Sequence, residues 1–147
     1  MSTWATGIDI YDENQKHVLE IEISDDHEYS FMYLYYAIYG RNGSSMRVPG
    51  ISTPARSIEI PQWLRKEIFR AKDTGRYSDE CAVINKSFFD SFDVKTIFQW
   101  QSFNYHTKQF EIEEESYSEF WSCQEVDDAI EKIKQSPGKY VVFWFNP

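Results

Sequence analysis

Along residues 17–24, HVLEIEIS, apolar and acidic side chains alternate, with Leu19, Ile21 and Ile23 on one parity and Glu20 and Glu22 on the other. A period of two marks a strand with one buried face. The next residues, DDHE at 25–28, are turn formers. Residues 29–40, YSFMYLYYAIYG, fit two periods at once. Phe31, Leu34, Tyr35 and Ile38 suit a helical stripe, whereas the density of tyrosine and the preceding turn favour a long strand, which is the expectation here. Asn42-Gly43 is a hairpin signal, because both central residues of a type I′ turn need positive φ. Residues 46–61 read as an irregular connection with short extended pieces.

Pro61 opens a helix through PQWLRKEIFRAKDTG, since its fixed φ suits a first turn and Gly75 stands where a helix stops. Leu64, Ile68 and Ala71 form its inward stripe beside Trp63, with Arg65, Lys66, Arg70 and Lys72 outward. SFFDSF (87–92) reads as a short helical turn. Residues 94–105 and 108–122 read as two strands joined near His106 and Thr107. Ser122 and Glu125 have the spacing of a capping box, and Val126, Ala129, Ile130 and Ile133 then mark an amphipathic helix over about 123–135. KYVVFWF (139–145) is apolar on both parities, as in a strand covered on both faces. The elements predict an α+β domain over residues 1–147, with about five strands in an antiparallel or mixed sheet, two amphipathic helices packed on it, and the order ββ-α-ββ-α-β.

A length of 147 residues suits one domain, and a 41% hydrophobic share with 18% aromatics excludes a disordered chain. Cys81 and Cys123 are too few for a disulfide scaffold. The N-terminus lacks a basic start followed by an apolar run, and no stretch approaches the length of a membrane span. The expected location is cytoplasmic. Net charge is −9, unevenly spread: −5 over residues 1–60, +2 over 61–109 and −6 over 110–147. That balance argues against direct nucleic-acid or membrane binding and towards a basic protein partner.

The acidity culminates in FEIEEESYSEFW, residues 110–121. In an extended strand Glu111, Glu113 and Glu115 share one face, about 7 Å apart, while Phe110 and Ile112 on the other face are expected to reach the core. A ladder of like charges weakens a sheet, so it needs a reason. It serves either as a solvated edge that discourages aggregation or as a docking surface. Tyr117, Glu119 and Trp121 share the parity of the three glutamates, and aromatics rimmed by carboxylates have the composition of a binding hot spot. In the opposing reading a bulge near 114–116 turns Tyr117, Phe120 and Trp121 inward. Glu20, Glu22, Asp25 and Asp26 would extend the patch if both acidic strands lie on one side of the sheet.

Other chemistry finds less support. DDHE lacks the spaced acids and glycine of a calcium loop and the soft ligands of a zinc site, so no metal or cofactor is expected. No local signature joins Cys81 or Cys123 to His17, His27 or His106. GRNGSS (40–45) lacks the Gly-Lys-Ser/Thr ending of a phosphate loop. No catalytic residue is therefore assigned, and the chain is not expected to be an enzyme.

In profile the chain is similar to the immunity proteins of bacterial toxin systems: small, acidic, α+β and without catalytic motifs. The likeness is one of profile, and no motif carries it. It implies a binding protein that neutralises a basic partner, such as a nuclease-like toxin domain, with carboxylates where substrate phosphates would sit. The alternatives are a small ligand-binding domain or enzyme using the tyrosine-rich segment as a pocket wall, and a phage-type mimic of nucleic acid.

Overall fold

The residues Tyr140–Asn146 organise the main sheet of the protein. A computed structural model describes the chain over residues 5–24, 31, 59–77, 81–93, 95–117 and 123–146. Among these are six strands, β1 (Ala5–Tyr11), β2 (His17–Ile23), β3 (Cys81–Asn85), β4 (Ile97–Asn104), β5 (Gln109–Ser116) and β6 (Tyr140–Asn146). Two α-helices, α1 (Gln62–Asp73) and α2 (Gln124–Gln135), and a 3-10 helix (Lys86–Ser91) complete the described elements. The fold is α+β, and both of its sheets are antiparallel.

The larger sheet has the order β2-β1-β6-β3. Its central strands are covered on both sides, which is why β6 reads as a continuous apolar run. On one face Ile8, Ile10, Ile21, Ile23, Ala82, Ile84, Val141 and Phe143 pack with Val126, Ala129, Ile130 and Ile133 of α2 and Phe88, Phe89 and Phe92 from the 3-10 region. On the other, Val83, Tyr140, Val142 and Trp144 pack with Leu64 of α1 and with Tyr77, backed by Trp63, Ile68 and Ala71. The inward stripes of both helices are those their periodicity indicated.

The strand pattern was less complete. β1 and β3 were not anticipated, because neither alternates: both faces of β1 are buried, and β3 is only five residues long. Asn42-Gly43, the irregular connection up to residue 58, and the strand expected over 29–40 lie outside the described residues, apart from Phe31. Phe31 has helical backbone rather than extended, and stacks on Phe143 in the core.

Of the expected capping box, Ser122 lies outside the described residues; Cys123 is the N-cap of α2 and makes no side-chain cap hydrogen bond. The Glu125 carboxylate accepts the Ser24 backbone N–H (2.5 Å) and hydroxyl (2.6 Å), tying α2 to the end of β2.

The end of α1 is built around Gly75, which adopts φ +79°. This left-handed residue lets Gly75 N–H bond Lys72 O (3.1 Å) and Arg76 N–H bond Ala71 O (2.9 Å), a Schellman pair that closes the helix. The reversal brings Arg76 and Tyr77 back over the sheet.

Candidate functional site

β4 and β5 form a two-stranded ribbon of their own, joined by the four residues Tyr105–Lys108. Asn104 shapes that turn: its side-chain oxygen accepts from the N–H groups of His106 (2.9 Å) and Thr107 (3.3 Å), and Lys108 takes φ 56°. The base of the ribbon is anchored in the core through Phe98 and Tyr117, which pack with Phe92, and through half-buried Trp100. Away from the base β5 is exposed residue after residue.

The register decides which side chains share a face. Phe98 stands opposite Glu115, Trp100 opposite Glu113, and Ser102 opposite Glu111. The three glutamates therefore lie on the same face as Phe98 and Trp100. Phe110 and Ile112, expected in the core, lie on the reverse face and are 70% and 61% exposed. The reason is local. Alternation separates two sets of side chains, but which set turns inward is set by the partner strand, and here Phe98 makes that choice.

On the acidic face Glu111 accepts from the Asn104 amide (2.9 Å). Among the described residues no ion pair reaches Glu111, Glu113, Glu114 or Glu115. Among the described residues, three carboxylates thus stand exposed beside a half-buried indole without an ion pair.

The other sequence-derived candidates are distributed differently. Tyr117 is not a surface anchor: it is 1% exposed, and its neighbours are Phe92 and Phe98. Burial, with Asp127 nearby, pushes its pKa up. Tyr117 is thus inward, but without the bulge of the alternative reading, because the register runs unbroken to Ser116; Phe120 lies outside the described residues. Asp25, Asp26, Glu119 and Trp121 lie outside the described residues. Glu20 and Glu22 are exposed on β2, opposite Asp9 and Gly7. That places them in the other sheet, on the face opposite to the core cluster holding the ribbon base, so they do not extend the row on β5.

No motif along the chain points to a second polar cluster. Asp9, in the centre of β1, is fully buried. Arg76 Nη2 donates to both of its oxygens (3.0 and 2.9 Å), Tyr77 donates its hydroxyl to Oδ2, and His17, with its proton on Nε2, donates to Oδ1 (2.8 Å). Arg76 also pairs with Glu20 (3.1 Å) and lies over the rings of Tyr77 and Trp144. Burial alone would lower the Arg76 pKa, but the carboxylates of Asp9 and Glu20 outweigh it, so the guanidinium pKa ends above its ordinary value. Burial and the bond to Asp9 push the Tyr77 hydroxyl well up. With four hydrogen bonds ending on one carboxylate, Asp9 is a saturated tie between α1 and the sheet, and such buried charges must be paired to be tolerated.

An open polar groove of about 450 Å³ lies between the β1–β2 turn, the end of β3 and the loop before β6. Its lysines are committed to acids, Lys139 to Glu13 (2.7 Å) and Lys86 to Asp90 (3.2 Å). No group of three or more His, Cys, Asp or Glu side chains that could hold a metal occurs among the described residues, and no helix there is long and apolar enough to cross a membrane. Protein-family models, curated proteins and solved structures yield no match to this chain.

Proposed function

We propose that the protein is an acidic binding protein that neutralises a basic protein partner, of which a nuclease-like toxin domain is the best candidate. The observation that supports this reading is the row Glu111, Glu113 and Glu115, exposed on a ribbon and without an ion pair among the described residues. Like charges at this spacing weaken the ribbon that carries them. A partner that supplies Lys and Arg removes the repulsion, and its association is steered by the net charge of −9. Trp100, directly opposite Glu113, takes the role of aromatic anchor that Tyr117 cannot fill. The arrangement suits a surface built to hold phosphates, because carboxylates then occupy the positions of phosphate oxygens.

The experiment is an affinity capture from the native host, eluted by a salt ramp and read by mass spectrometry, with Glu111→Lys/Glu113→Lys/Glu115→Lys as control bait. The expected result is a basic protein released as salt rises and absent from the triple variant. Equal capture by both baits contradicts the reading.

A further inference from the structure

The reverse face of the ribbon has a different chemistry. Ile97, Phe103, Phe110 and Ile112 lie on it, and Tyr105 at the turn extends it. Phe103 and Phe110 face each other with ring centroids 5.3 Å apart, and Tyr105 meets Phe103 edge-on at 5.0 Å. All five are exposed, from 39% at Phe103 to 83% at Tyr105. The one acid here, Glu114, accepts from Gln99 at 2.9 Å. With large side chains of this kind the face offers roughly 500 Å² of apolar surface. An exposed apolar patch of that size marks a contact surface.

We infer that a second copy of this chain covers the face, in a two-fold dimer that stacks the two ribbons through Phe103, Phe110 and Ile112. Three observations select this occupant. The face is nearly uncharged, so it neither attracts the basic partner nor repels the same face of a second copy. The glutamates point the other way, so stacking the apolar faces leaves Glu111, Glu113 and Glu115 of both copies outward. Two such faces together remove roughly 1,000 Å² from water, which reaches the lower limit of a specific interface. Paired sheets about 10 Å apart leave room for the rings to interdigitate. The inference does not depend on the partner reading, and the two contacts respond to salt in opposite directions. Two chains of charge −9 repel at long range, so salt strengthens the dimer, whereas salt weakens capture of a basic partner.

Sedimentation velocity of the full chain tests it, at protein concentrations from a few micromolar to several hundred, in low and high salt. The expected result is a concentration-dependent shift from 17.5 kDa to twice that mass, with more dimer at high salt. Phe110→Ser/Ile112→Ser, and separately Ile112→Lys, should remain monomeric throughout with unchanged far-UV circular dichroism. Glu111→Lys/Glu113→Lys/Glu115→Lys should dimerise at least as well as the parent. A monomer at every concentration, a dimer indifferent to the apolar variants, or a dimer lost in the glutamate variant each overturns the inference.

Discussion

Arg76 and Asp9 are 67 residues apart in sequence, yet one guanidinium nitrogen of Arg76 bonds both oxygens of the buried Asp9 carboxylate. The pair closes α1 onto β1 and leaves little of Asp9's bonding capacity unused. Asp9→Leu strands Arg76, Tyr77 and His17 around an apolar side chain. Its expected cost is about 3 kcal/mol in urea unfolding, in the range for breaking a buried charge cluster. Arg76→Met should cost at least as much, because it leaves the Asp9 carboxylate buried without its guanidinium partner, bonded among the described residues only by His17 and Tyr77.

The two glycines of this region fail for different reasons when substituted. At Gly75 a Cβ meets nothing within 4 Å, but φ is +79°, so Gly75→Ala should cost about 1 kcal/mol from backbone strain alone. At Gly7 a Cβ would meet the Ile21 carbonyl oxygen and the Trp144 ring. Gly7→Ala therefore forces the β1–β2 pair or the indole to move, and a loss of about 3 kcal/mol is expected. Parallel urea melts should rank the two in that order.

These relationships mark what could be read along the chain. The helices were legible because Leu64, Ile68 and Ala71, and Val126, Ala129, Ile130 and Ile133, repeat at helical spacing against one core each. β2 and the ribbon were legible through alternation, and β6 through its lack of it. β1 was not, because Asp9 interrupts its apolar run, and a buried carboxylate becomes understandable only once Arg76, Tyr77 and His17 are brought to it. The faces of the ribbon were inverted for a related reason: the pattern of β5 is symmetric, and the anchor that orients it, Phe98, is on another strand. Glu125 also bonds Ser24, a contact 101 residues distant that no local motif announces.

The buried tyrosines give stability a dependence on alkaline pH. Burial raises the pKa of both Tyr77 and Tyr117 well above the ordinary value of 10.0, to which they return on unfolding. Below pH 10 both states hold the protons and nothing is lost. Above it the unfolded chain releases them while the folded chain retains them, so stability falls with rising pH. The expected slope is about 1.4 kcal/mol per pH unit for each tyrosine. Urea midpoints between pH 9 and pH 12 measure it, and tyrosinate absorbance should show these two phenols silent until unfolding. Tyr77→Phe should reduce the slope by about 1.4 kcal/mol per pH unit.

The glutamate row should be nearly neutral for folding. Glu111→Lys/Glu113→Lys/Glu115→Lys changes only exposed side chains and exchanges one row of like charges for another, so its unfolding free energy should stay within about 0.5 kcal/mol of the parent.

That neutrality makes a direct test of the binding claim possible. With the captured partner in hand, the decisive measurement is its dissociation constant for the parent and the triple glutamate variant, by calorimetry at about 50 mM and about 300 mM salt, between which screening shortens markedly. Binding by the variant should be at least a hundredfold weaker at low salt, about 2.7 kcal/mol, and the parent affinity should fall as salt rises. Equal affinity for the two proteins, or a parent affinity indifferent to salt, would contradict it and leave the carboxylates of β5 as a solvated edge.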